Sequence, residues 1–219
     1  MKRAIVLFLL VFSVGYAEWK VEVLSETPKI VLLHDFLTHK ECDHLIQLAA
    51  PSLKRSTVVD ESGNSQGAVD SRRTSQGTFL TRCWNDKVVQ SIENRLAKLG
   101  GYPKENGESI QVLFYEKGAE YRPHFDFFNP ETPGGNTHLS RGGQRVVTIL
   151  MYLNTPTRGG ETIFPRANVS VTPVKGTAVL FYNCTPSGET DSLTLHGGAP
   201  VIEGEKWIAT KWLREREFN

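Results

Sequence analysis

The sequence predicts a mainly β fold with flanking helices, built around a double-stranded β-helix, or jelly roll. From Ile110 onward it breaks into short apolar or alternating runs, "IQVLFY", "YRPHFDF", "RVVTILMYL", "ETIFP", "VSVTPV", "TAVLFY", "SLTLH" and "KWIATKWL", parted by Gly, Pro and Asn turns. Many short strands with turn residues between them are the signature of a closed or double-sheeted β architecture. Upstream stand two stretches of helical period, placed to support a sheet. The chain has 219 residues, 39% hydrophobic and 22% charged, enough for one globular domain with a sizeable core and too apolar for disorder.

The first residues, "MKRAIVLFLLVFSVGYA", carry Lys2 and Arg3, an apolar run and the small residues Gly15 and Ala17. That order is a secretory leader over 1–17, ahead of a domain over 18–219, and it places the protein in the secretory pathway or outside the cytoplasm. A membrane enters only if the segment stays uncleaved as an anchor. "WKVEVL" alternates as a strand and "KIVLLHDFL" is a more continuous strand-like run. Thr38 and Glu41 then form a capping box that opens a helix with Cys42, Leu45, Ile46 and Ala49 on one face, ending before Pro51. In "NDKVVQSIENRLAKLGG", Asn85 is the expected cap, Val88, Val89, Ile92, Leu96 and Leu99 the buried face, and Gly100 the stop. Between the helices, "DESGNSQGAVDSRRTSQGTFL" reads as a long polar loop over the surface or over a substrate, mobile from about Asp60 to Gly77.

Charge and cysteine content exclude several classes. The formal charge of +1, from 25 basic and 24 acidic residues, gives no global field for nucleic acid or an anionic membrane. Cys42, Cys83 and Cys184 are too few for a disulfide framework; one bridge at most forms within the chain. Asn168 and Asn183 head glycosylation triplets that matter only in a eukaryotic secretory route.

The candidate chemistry lies in "YRPHFDFF". Read as a strand, its period of two puts His124 and Asp126 on one face, while Phe125 and Phe127 anchor the other face in a core. His196, in "SLTLHGGAP", completes a set of two imidazoles and one carboxylate. Such a triad leaves coordination positions open and suits non-haem Fe(II) with oxygen and a chelating co-substrate. Zinc in a hydrolase uses the same ligand types, so the triad alone leaves the metal open. Further on, alternation in "EKWIATKWL" sets Lys206, Ile208 and Thr210 on one face and Trp207, Ala209 and Lys211 on the other. An inward Lys206 would demand an anionic partner, such as the far end of a dicarboxylate bound to the metal.

The blocks "YEKGAEYRPHFD", "GGQRVVTILMYLN", "GGETIFP", "LHGGAP" and "GEKWIATKWL", with "FLTHKECDHLI" and "RRTSQGTFL" upstream, resemble in order those of the prolyl 4-hydroxylases, within the Fe(II) and 2-oxoglutarate dioxygenases. The resemblance runs from about Lys29 to Glu215. It implies that His124, Asp126 and His196 ligate Fe(II) and that Lys206, helped by Tyr121 and Thr162, holds the distal carboxylate of 2-oxoglutarate. It implies a closing loop with Arg73 and Ser75, further substrate-side positions at Arg145 and Trp212, and polar groups Glu108 and Gln111 near the groove. Ala199 stands where animal and plant members usually have cysteine, and Arg214 where they usually have histidine; both residues look closer to bacterial-type members.

The activity implied is hydroxylation of a peptidyl proline to 4-hydroxyproline, with O2 consumed, succinate and CO2 released, and L-ascorbate as reductant. A proline-rich peptide is an apt partner because its extended left-handed helix is ordered before binding. Hydroxylation of another peptidyl residue such as lysine is the nearest alternative, and a lysine anchor in place of an arginine favours proline. A metal-dependent hydrolase or isomerase would leave Lys206 without a role, and a non-catalytic proline-rich-peptide binder has no need of three ligands.

Overall fold

The computed structural model describes residues 19–59, 67–83 and 85–218. The expected leader over 1–17 and part of the expected loop, 60–66, lie outside them. The strands and helices are β1 (Val21–Glu26), β2 (Lys29–Leu33), α1 (His39–Ala49), β3 (Lys54–Arg55), β4 (Gln76–Phe79), α2 (Lys87–Gly100), β5 (Gln111–Tyr115), β6 (Tyr121–His124), α3 (Pro133–Ser140), β7 (Arg145–Tyr152), β8 (Arg158–Gly159), β9 (Thr162–Phe164), β10 (Val169–Val171), β11 (Ala178–Tyr182), β12 (His196–Gly198), β13 (Val201–Glu203) and β14 (Lys206–Arg214).

An eight-stranded sheet in the order β1-β2-β11-β7-β14-β5-β4-β3 faces a four-stranded sheet, β10-β9-β12-β6, while β8 pairs with β13 at one end. The central pairings are antiparallel between strands distant in sequence, as the jelly-roll reading requires. Alternation then builds two cores. Val112, Val147, Ile149, Met151, Ala209 and Leu213 point toward α1 and α2, meeting Cys42, Leu45, Ile92 and Leu96. Leu113, Tyr115, Leu150, Tyr152 and Ile208, one residue out of phase, point between the sheets toward Phe164 and Phe181. Strand β14 is buried along its whole length because both its faces are covered. Its predicted face of Lys206, Ile208 and Thr210 turns into the space between the sheets, continued by Trp212 and Arg214.

The first helix begins as predicted: Thr38 Oγ1 accepts from Glu41 N at 3.2 Å, and Glu41 Oε2 accepts from Thr38 N at 2.8 Å. The second is capped by Asp86 and not Asn85. Asp86 Oδ1 accepts from Val88 N and Val89 N at 2.9 and 3.0 Å, and a carboxylate suits the positive helix end better than an amide. Gly100 is the last helical residue, and Gly101, at φ +74°, takes the left-handed stop. At Gly100 the helix lies directly on β14: an added Cβ would sit 2.1 Å from Leu213 Cδ1.

Other expectations change. "SLTLH" is not a strand; Ser192–Thr194 form a short 3-10 turn, and pairing starts only at His196. The segment read as a loop to Gly77 includes β4, which adds to β5, and residues 72–74 run beside β6 through Arg122 N to Arg72 O (2.8 Å) and Thr74 N to Glu120 O (2.9 Å). Helix α3, in "PGGNTHLS", has no clear signal in the sequence, since its glycines hide a helix that Pro133 and the Thr132 cap begin. All three cysteines are free. Among the described residues no helix is long and apolar enough to cross a membrane.

Candidate active site

Strand β6 ends at His124, so Asp126 reaches the site from the bend beyond it, and His124 pairs with His196 on β12. This brings the three side chains together: their candidate ligand atoms all lie within 4.8 Å of one another. His124 Nε2 is 3.6 Å from Asp126 Oδ1, and His196 Nε2 is 3.6 Å from Asp126 Oδ2. Each imidazole Nδ1 lies 2.9 Å from a backbone carbonyl, of Arg122 and of Thr194 respectively. A carbonyl only accepts, so Nδ1 carries the hydrogen and Nε2 offers a bare lone pair to the centre, the tautomer a metal ligand needs. Burial pulls His196 down to about 4 against the attraction of Asp126, so it is neutral. Burial alone would raise Asp126; His196, His124 and Arg145 outweigh it and hold the carboxyl far below its usual range. A neutral imidazole at His196, a second imidazole at His124 and one ionised carboxylate fit a divalent iron site.

A second layer aims the carboxylate. Asp126 Oδ2 accepts from Thr148 Oγ1 at 2.8 Å and from Trp212 Nε1 at 2.9 Å, and Asn183 Nδ2 donates to Thr148 Oγ1 at 2.9 Å. Thr148 and Asn183 escape a reading of the sequence, because Thr in a strand and Asn in a turn carry no distinguishing signal. Trp212 faces the ligand, and Arg145 lies over its ring at 3.9 Å. Arg145 itself is held by Glu108 through Nε and Nη2 at 2.6 and 2.7 Å. Arg214 Nη1 reaches the same carboxylate at 3.0 Å and its Nη2 donates to His138 O and Arg141 O, tying the end of α3 to β14. Burial alone would raise Glu108, but the two guanidiniums hold it below its usual value. Arg145, with two bonds, is raised, whereas burial and the neighbouring cation push Arg214 down to about 10.

The other end of the site is formed by Lys206, which is 2% exposed. Burial pushes its ammonium down to about 8, against the attraction of Glu161. Among the described residues it has no ion pair; it lies 5.4 and 5.8 Å from the rings of Tyr115 and Tyr152. Gly160, at φ +76°, leaves room for the lysine stem, since a Cβ there would stand 3.1 Å from Lys206 Cδ. Thr162 Oγ1 accepts from Tyr152 Oη at 2.7 Å, so its own hydrogen is left to donate elsewhere. Tyr121 stacks on His124, and burial pushes its hydroxyl up to about 12.

These groups line one cavity of about 900 Å³. Its mouth carries Phe125 and Phe127, which are half-buried and stacked on each other with centroids 4.5 Å apart. They do not anchor a core, because the chain bends after His124 and turns them to the cavity. Arg73, which also lines the cavity, and Ser75 are packed into its wall. Arg73 Nε donates to Ser75 Oγ at 3.3 Å and Ser75 Oγ to Ser56 Oγ at 3.0 Å, and both residues are buried behind Tyr121. Gln111 Oε1 accepts from Arg73 Nη2 at 3.2 Å.

A jelly roll with a His-Asp-His centre and, in the same cavity, a buried ammonium that no carboxylate of the described residues pairs defines an Fe(II) and 2-oxoglutarate oxygenase. Residues 110–214 match the family model of the 2OG-Fe(II) oxygenase superfamily. The chain is 46% identical over 225 residues to prolyl 4-hydroxylase 5 of Arabidopsis thaliana, covering 94% of this chain and 75% of that one. It is 44% identical over 226 residues to probable prolyl 4-hydroxylase 8 of the same plant, with 94% and 75% covered. The 2-oxoglutarate complex of a viral collagen prolyl hydroxylase from Paramecium bursaria chlorella virus 1 superposes with a TM-score of 0.65 at 28% identity, covering 84% of this chain and 95% of that one. The chain belongs to the prolyl 4-hydroxylase family of these oxygenases.

Proposed function

We propose that this protein hydroxylates peptidyl proline at C4, consuming 2-oxoglutarate and O2 and releasing succinate and CO2. The observation that carries the reading is Lys206: a buried ammonium with no ion pair among the described residues, in the same cavity as the triad. A buried cation is costly until it meets an anion, and a dicarboxylate chelated at one end presents its other end there. Fe(II), held by His124, Asp126 and His196, would supply the oxidising chemistry that replaces a C–H of proline by C–OH.

The protein's own groups do the rest. The carbonyls of Arg122 and Thr194 keep both Nε2 lone pairs turned to the centre, while Thr148 and Trp212 fix the carboxylate plane. Lys206 binds the far carboxylate, Thr162 donates a second hydrogen bond to it, and Tyr121 closes that side of the chamber. Arg145 and Trp212 form one wall for the peptide, and Phe125 and Phe127 give its proline rings an apolar mouth. Arg73 and Ser75 support that wall from behind Tyr121. L-ascorbate serves as the reductant that keeps the iron ferrous.

A panel of proline-rich peptides incubated with Fe(II), ascorbate and 2-oxoglutarate tests this by mass spectrometry. Formation of 4-hydroxyproline matched by succinate is expected. Hydroxylation of lysine in its place, or no peptide-dependent succinate with any member of the panel, would overturn the reading.

A further inference from the structure

The two histidines of the triad are held by different means. His196 is enclosed, its side chain 6% exposed, with Phe181 and Phe164 ring centroids 4.7 and 5.6 Å away. His124 is the more open ligand, 20% exposed, on the end of a strand in the smaller sheet. Its Nδ1–H bond to Arg122 O opposes rotation about Cβ–Cγ, but a single hydrogen bond on a partly open side chain leaves the ring some swing about that axis. Tyr121 narrows that swing: its ring lies nearly parallel to the imidazole, 16° apart, with centroids at 3.5 Å.

Tyr121 is held in turn by Arg73, whose guanidinium carbon lies 4.7 Å over its ring. Arg73 is 7% exposed and donates to three neutral acceptors: Ser75 Oγ, Thr57 O and Gln111 Oε1, the last on β5 of the larger sheet. The electron-rich face of Tyr121 therefore complements a charge that these hydrogen bonds leave uncompensated, and a desolvated cation on an aromatic face is a strong contact. Because residues 72–74 also bond along β6, the column Arg73, Tyr121, His124 ties the more open ligand to both sheets.

We infer that Arg73 is a positioning residue: acting through Tyr121, it fixes the plane of the His124 imidazole and so sets how tightly the triad holds its metal. The inference rests on the metal-centre reading of the proposed function. It differs from a role in touching peptide, which would leave metal affinity alone.

The test is anaerobic titration with Co(II), followed by its visible absorption, with thermal melting of the metal-free protein in parallel. Arg73→Gln keeps hydrogen-bonding capacity but removes the cation; Tyr121→Leu removes the stacked ring. Each is expected to weaken Co(II) about tenfold or more, the range of outer-shell ligand supports. The double variant should be no weaker than the singles, and Arg73→Lys, which keeps a cation over the ring, should restore most of the affinity. Parent-like Co(II) binding by Arg73→Gln with a raised peptide KM would overturn the inference in favour of a substrate contact. Additive losses that follow the metal-free melting temperatures would overturn it in favour of general stability. Failure of the parent to bind Co(II) would instead remove the metal centre itself.

Discussion

The two ends of the cavity treat positive charge in opposite ways. At the floor, Lys206 stands over two tyrosine rings with no carboxylate of the described residues paired to it. At the other end of β14, Arg145 and Arg214 converge on the single carboxylate of Glu108, all three largely buried. A cation that the protein neutralises itself becomes part of the wall; one that it leaves bare is kept for a ligand's charge. Arg145, expected to meet the substrate, is thus half of an ion pair.

The contrast breaks most sharply at the floor. Lys206→Ala should lower 2-oxoglutarate affinity by about 3–5 kcal/mol, the penalty of a broken buried pair, while Co(II) affinity and folding stay near the parent. Calorimetric titration measures this, and parent-like 2-oxoglutarate binding would abolish the distinction between the two ends. At the Glu108 end the same kind of deletion should strike stability instead. Glu108→Ala leaves two buried guanidiniums without their carboxylate and should cost about 3 kcal/mol in chemical unfolding, with 2-oxoglutarate affinity largely kept. A variant as stable as the parent would mean the network is dispensable.

The smallest effect sharpens the comparison through pH. With the Lys206 ammonium at about 8 in the unliganded fold, 2-oxoglutarate affinity should be flat below pH 8 and fall about tenfold per unit above it. Because the ordinary value is 10.5, the folded state holds fewer protons than the unfolded one between about 8 and 10.5, so the unliganded protein gains stability as pH rises through that window. Glu108, held below its usual value, gives no such change at alkaline pH. An affinity that stays constant to pH 10 would show that the ammonium is not what binds the dicarboxylate.

Much of this site is legible in the amino-acid sequence. Metal ligands declare themselves by residue type, and the face carrying Lys206 follows from the period of a strand. The burial of β14 on both sides, with charged Lys206, Lys211 and Arg214 inside, also keeps that alternation. What escapes is what depends on neighbours distant in sequence. Thr148, Asn183 and Trp212 become supports of Asp126 only because β7, β11 and β14 lie side by side. Arg73 reads as a loop charge until the strand following it is seen to join β5. Phe125 and Phe127 are misplaced by a strand pattern extended through a bend that the alternation does not reveal.

The two glycosylation triplets differ in a way that carries a sense of time. Asn168 sits exposed at the turn between β9 and β10, open to a modifying enzyme on the finished protein. Asn183 is 0% exposed, and its amide nitrogen is committed to Thr148, which in turn holds Asp126. A sugar could be attached there only to a chain that had not yet folded, and a chain so marked could no longer close its own metal centre. In a eukaryotic secretory route, a chain that folds ahead of the modifying enzyme would keep Asn183 bare and Asn168 open.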